Sequence, residues 1–122
     1  MGAIHSRRGD KVSWEENRSA ADGEEPARWR VRTKPYFEPA EIGMMLRVVE
    51  YAPRWVVEPH SHAASEVIYI LDGEVSIGKD RFVTGDAVHI EPNTVYGPLV
   101  AGPDGVRFVL MFTGAPGMTS AS

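Results

Sequence analysis

Apolar and polar residues alternate in short stretches along most of this chain. Arg28-Trp29-Arg30-Val31-Arg32 sets charged against apolar side chains with period two, the pattern of a half-buried strand. Its arginines suit a sheet edge, where charge blocks pairing with another chain. From there on the pattern predicts strands at 44–51, 55–58, 66–71, 74–78, 80–84, 87–91 and 106–113. Asp72-Gly73 falls between two of these and predicts a type I′ hairpin turn. Gly78, Gly85 and Gly105 mark further turns, and 96–105 reads as a rigid Gly/Pro loop and hairpin at one end of the sheet. No stretch carries a helical period of useful length. Many short strands at regular spacing predict an all-β sandwich or barrel.

Composition narrows the picture. One chain of 122 residues and 13.4 kDa accommodates a single domain. Residues 1–35 hold eight basic and six acidic side chains, and residues 36–122 hold five and eleven. The first 25 residues are densely charged and read as a loosely ordered polar arm, with capping-box spacing at Ser13-Trp14-Glu15-Glu16 allowing one helical turn. The barrel is then expected over 26–114, and the small, polar stretch 115–122 is expected to fray. The acidic balance and the lack of any accompanying motif argue against nucleic acid as a partner for the arginines. Apolar runs do not exceed five residues, so no membrane span is expected. Arg7-Arg8, the Met1–Ser6 stretch and Asn17-Arg18-Ser19 resemble targeting or modification signals, but no apolar segment supports them, and the expected location is cytoplasmic. Without cysteine, no disulfide, thiolate metal site or cysteine nucleophile is available.

The chemistry concentrates in one segment. His60 and His62 flank Ser61, and on a strand two such side chains leave the same face about 7 Å apart. Glu66 begins the next apolar run and shares its face with Ile68 and Ile70, where a carboxylate is costly unless paired or metal-bound. Two imidazoles and a carboxylate form the facial set of non-haem Fe(II) sites, and the same ligands suit Mn, Ni and Zn. The expected cofactor is therefore one divalent transition metal ion, iron first.

His60-x-His62-x-x-x-Glu66-x-x-x-x-x-x-Gly73 resembles the first motif of the cupin superfamily, and Gly85-Asp86-Ala87-Val88-His89-Ile90-Glu91-Pro92-Asn93 resembles the opening of the second. Residues 41–113 read as one cupin domain. The resemblance implies a double-stranded β-helix, or jelly-roll, barrel with a metal inside, often paired into a homodimer. Arg54 stands where the family often has glycine, Glu91 replaces a proline, and Asn93 replaces the motif glycine. Asn93 is the other residue type that tolerates positive φ. The family's fourth ligand, a histidine, aligns by spacing with Tyr96. A tyrosine there can ligate the ion, hold substrate or bound water, or simply pack. His89 falls mid-strand, away from the ligand position; facing inward it would line the pocket as a base or substrate contact, and facing outward it is a structural histidine.

Function follows in two versions. The first is a metal-dependent enzyme acting on a small organic metabolite, with Glu66 and Tyr96 as the catalytic pair. Its chemistry is either O₂-dependent oxidation of the dioxygenase type or Lewis-acid isomerase, cyclase or lyase chemistry. The second is a non-catalytic module that binds or senses a small molecule. The homodimer is expected to form through the strand carrying Trp29 and Val31.

Overall fold

The computed structural model describes residues 2–17 and 30–121. In chain order the strands are β1 (Glu15–Asn17), β2 (Val31–Phe37), β3 (Met45–Tyr51), β4 (Val56–Val57), β5 (His60–His62), β6 (Glu66–Ile77), β7 (Asp80–Val83), β8 (Ala87–Ile90), β9 (Leu99–Phe112) and β10 (Met118–Ser120). One short helix, α1 (Pro39–Ile42), links β2 to β3. The main sheet has the order β1-β2-β3-β9-β6-β7, with β4 also on β9 and β8 also on β6. The other sheet is the pair β5–β10. All pairings are antiparallel, and the all-β jelly-roll expected from the sequence is what the chain forms.

Two long strands replace three expected short ones and most of an expected loop. β6 runs straight through Asp72-Gly73, so no hairpin forms there. The register of β6 on β9 slips between Ile70 and Asp72 and again between Gly73 and Val75. Gly73 has φ +85, and a Cβ on it would collide with the Gly105 carbonyl oxygen of β9. The left-handed glycine therefore serves a bulge where two backbones cross, not a chain reversal. Residues 99–105 of the loop and hairpin expected at 96–105 are likewise the first half of β9, with residues 102–105 standing opposite Glu74 alone. These bulges bend both strands. The first half of β6 pairs with β8 and the second with β7, while β9 pairs first with β4 and then with β3.

Period two decides which side chains go inside. Ile68 and Ile70 of β6 are fully buried, whereas Val67, Tyr69 and Leu71 face outward and are exposed. The core joins them to Val49, Val75, Leu99, Val106 and Phe108. Met111 of β9, in register with Val67, adds to the apolar outer face.

The described part of the arm is more ordered than its composition suggests. A 3₁₀ turn occupies Gly9–Lys11, and the helical turn expected at Ser13–Glu16 is absent because Glu15–Asn17 pairs with Val31–Thr33 of β2. β2 is thus flanked on both sides and is not an edge. The Trp14 ring lies 4.4 Å from the Arg32 guanidinium, and Lys34 Nζ donates to the Gly9 carbonyl at 2.7 Å. Trp29 lies outside the described residues. The stretch expected to fray is also paired, through β10, as described below. No helix among the described residues is long and apolar enough to cross a membrane.

Glu50 of β3 is buried between two cations. Arg32 Nε and Arg107 Nε each donate to its carboxylate at 2.6 Å. Burial pushes the Glu50 carboxyl up, but the two arginines outweigh it and hold the group below its ordinary 4.5. A depressed carboxyl stabilises the fold above its unfolded value and loses that contribution as pH falls through the folded one. Stability should therefore decline below about pH 4.5. Glu50→Gln should cost about 1–3 kcal/mol at neutral pH and flatten that decline. Urea unfolding at pH 7 and pH 3.5 checks both, and an unchanged slope in the variant would refute the assignment.

Candidate functional site

The site sits where β5 approaches the start of β6. A short turn at residues 63–65 reverses the chain, so Glu66 enters the barrel beside the histidines. The side chains of His60, His62, Glu66 and Tyr96 all line one cavity of about 300 Å³ inside the barrel. The rest of its wall is largely apolar and aromatic, with Tyr51, Leu110, Phe108 and Phe112 prominent. His60 and Glu66 are among the few buried polar side chains, at 6% and 3% exposure.

Tyr96 is held by the backbone. It forms a two-way bridge with His60, N–H to carbonyl at 3.0 and 3.1 Å. Gly97 follows at φ +119 and packs against Pro59, where a Cβ would come within 3.1 Å of its Cα. That close approach, open only to glycine, presses the tyrosine strand onto the histidine strand. The Tyr96 hydroxyl donates to Glu66 Oε1 at 2.6 Å and lies 3.1 Å from His60 Nε2.

The proton count in this cluster is informative. His60 Nδ1 lies 2.8 Å from the Glu58 carbonyl, which can only accept, so Nδ1 carries the hydrogen. In the neutral ring Nε2 is then a bare acceptor. Glu66 is an acceptor too, and the single Tyr96 hydrogen cannot serve both. Nearby, the His62 ring packs edge-on against His60 and Phe112, each 4.8 Å away, and its buried Nδ1 has no hydrogen-bond partner. Burial, and then the neighbouring His60, lower the His62 pKa and keep that ring neutral. Burial pushes the Glu66 carboxyl up to about 7 against the hydrogen bond from Tyr96. Burial and the field of Glu66 also raise the Tyr96 phenol.

Such a cluster, rich in lone pairs and short of hydrogens, suits a cation. Ligands bound at about 2.1 Å sit about 3 Å apart around an ion, close to the 3.1 and 2.6 Å spacing of His60 Nε2, Tyr96 oxygen and Glu66 Oε1. A ligating histidine usually donates its other N–H to a carbonyl, as His60 does to Glu58. Among the described residues no three His, Cys, Asp or Glu side chains converge by themselves.

The family model for a cupin domain, Cupin_2, matches residues 47–112, more than half of the chain. The chain is a cupin. It is 29% identical over 114 residues to the dimethylsulfoniopropionate lyase DddW of Ruegeria pomeroyi, covering 82% of this chain and 70% of the relative. The polyketide cyclase RemF of Streptomyces resistomycificus shares the fold with a TM-score of 0.71 at 19% identity, over 100% of this chain and 86% of that one. An RmlC-like cupin of Shewanella frigidimarina gives 0.67 at 20% identity, with 93% of each chain covered.

Two departures from the cupin pattern now have a structure. Arg54 and Asn93, both standing where the family often has glycine, adopt φ 62 and 61. The expected tolerance of Asn93 for that conformation is met. His89 points away from the cavity, and its Nε2 lies 2.6 Å from Ser65 Oγ.

What sequence reasoning missed in this cupin is the far wall. β10 pairs with the histidine strand, Met118 with His62 and Ser120 with His60. Ala63 N–H donates to the Pro116 carbonyl at 2.7 Å, and Pro116 and Met118 line the cavity. Small polar composition concealed this, because the pairing uses backbone groups that any sequence supplies. Arg47, which also lines the cavity, was missed as well, although its place in the alternation of β3 points inward with Met45 and Val49. Ending the chain at Gly114 should cost about 1–2 kcal/mol, seen as a Tm lower by about 4–10 °C with the β-sheet circular dichroism retained. An unchanged Tm would show that this wall does not pack.

Proposed function

We propose that this cupin is a metal-assisted lyase that eliminates a neutral leaving group from a small organic acid, with dimethylsulfoniopropionate as the lead substrate. The observation that carries the reading is the Tyr96 hydroxyl, placed inside the cavity with Glu66 Oε1 2.6 Å behind it. Elimination needs a base at the carbon next to the substrate carboxylate. Tyr96 oxygen accepts that proton as its own passes to Glu66 Oε1, so the pair moves one proton without building a free phenolate. The C–H and C–S bonds break, the C=C bond forms, and dimethyl sulfide leaves with the sulfur electron pair. The products are dimethyl sulfide, acrylate and one proton.

His60 Nε2, His62, Glu66 and Tyr96 would hold the ion, and Fe, Mn, Ni and Zn all accept this nitrogen and oxygen set. Bound there, it would supply Lewis acidity beside the carbon that loses its proton. The aromatic rings of Tyr51, Tyr96, Phe108 and Phe112 line the same cavity and suit a sulfonium cation. Of the two reaction classes open from the sequence, oxidation and redox-neutral Lewis-acid chemistry, the second is supported by the lyase relative and by the Tyr96–Glu66 proton path. A homodimer would bury the apolar outer face formed by Val67, Tyr69, Leu71 and Met111.

Headspace gas chromatography of dimethyl sulfide over metal-loaded protein tests the reaction. Tyr96→Phe should lower kcat about 10²- to 10⁴-fold. Binding of dimethylsulfoniopropionate without turnover by the wild type would favour a sensing module instead. Elemental analysis of untagged protein purified without chelator should find about one ion per chain, lost in the His60→Ala/His62→Ala double variant. No stoichiometric metal after loading with Fe(II), Mn, Ni and Zn in turn would sink the metal-assisted reading.

A further inference from the structure

Arg47 is a guanidinium on the wall of a cavity otherwise lined by apolar and aromatic side chains, two imidazoles and the Glu66 carboxyl. It stands on β3 with its side chain on the inner face and lines the same space as Glu66 and Tyr96. The register locates it. Met45, Phe112 and Glu66 form one row across β3, β9 and β6, and Arg47, Leu110 and Ile68 form the next row on that face. Strands two apart lie about 10 Å from each other, so Arg47 stands one row along from Glu66 on the same inner face, within the span of a short acyclic molecule. Glu38 fixes it from the rim. Arg47 Nε and Nη2 donate to the two Glu38 oxygens at 3.1 and 2.9 Å. A guanidinium has five N–H donors in a rigid fork, and one carboxylate uses two. The remaining edge can take a second carboxylate. A salt bridge made only for stability does not require its cation to line the barrel interior.

We propose that Arg47 binds the carboxylate of the substrate, so that the cavity selects small organic acids, with Glu38 at the rim competing for its charge. This rests on the lyase reading for the reaction but not for the binding. Fixing the acid group at Arg47 orients the adjacent C–H bond toward Tyr96 and leaves the onium end to the aromatic rings. The chemical class is a short monocarboxylate. An amide or ester of the same length lacks the charge that the guanidinium recognises.

The test is calorimetric titration of propionate and propionamide into metal-loaded protein, with a repeat after chelator treatment. Propionate should bind and propionamide should not. Arg47→Met should weaken propionate about tenfold or more, Arg47→Lys should lose less, and thermal melts should show both variants folded. Glu38→Gln should have the opposite sign and tighten propionate a few-fold, about 2- to 5-fold, because it removes the competing charge. If Arg47→Met leaves propionate affinity unchanged, the assignment is wrong. It is equally wrong if Glu38→Gln weakens binding as Arg47→Met does, which is the signature of a purely structural pair. Propionate binding that disappears with the metal but not with Arg47 places the carboxylate on the ion and overturns the proposal. Arg47-dependent propionate binding without dimethyl sulfide release would overturn the lyase reading and leave this one standing.

Discussion

A shortage of hydrogens among three polar atoms governs this barrel. His60 Nε2, Tyr96 oxygen and Glu66 Oε1 lie within hydrogen-bond reach in sequence, and while Glu66 is ionised the one hydrogen between them is the tyrosine's. In water such a shortage is trivial. Inside a cavity with apolar walls each unmatched lone pair costs free energy, and the cost is met only by a proton or a cation. The backbone keeps the shortage in place. The reciprocal His60–Tyr96 bridge, the glycine that follows it and the tight turn before Glu66 hold three different segments at one point. Rearranging one of them would disturb the other two.

The long bent strands make this convergence possible. A bulge adds a local bend to a strand at the point where it changes partners. The slips at Gly73 and near Ala101 let β6 and β9 serve both layers while keeping their inward rows in step. The same register sets Glu66 and Arg47 in adjacent rows of the inner face, so the charge pattern of the cavity is a product of register. A slip of one residue would exchange Glu66 for Val67 and empty the site.

Much of the site was legible in the sequence. The spacing of His60, His62 and Glu66 marked it, because period-two geometry and the cost of a buried carboxylate are local arguments. Position 96 was legible as the place to look, but its role depends on a contact 36 residues away that no local pattern encodes. The fold class could be read from strand spacing, whereas Asp72-Gly73 misled. A left-handed glycine is shared by hairpins and by bulges, and the choice is made by the β9 backbone lying across it. Glu15–Asn17 and Met118–Ser120 were unreadable for another reason. Short polar strands are held by backbone hydrogen bonds to partners already in place, so their own side chains carry little signal. Arg47 was hidden by its charge, since a cation in a strand ordinarily belongs on the solvent face.

The pair β5–β10 has a kinetic meaning. Among the described residues β10 has a ladder only with β5, three residues against three, and Met118 stays largely exposed. So small a unit opens far more often than the central strands, which exchange only when the whole domain does. Each opening uncovers one side of the histidine strand without disturbing the core on β6 and β9. Amide exchange at Ala63 and Ala121, whose N–H groups donate to the Pro116 and Pro59 carbonyls, reads that opening directly.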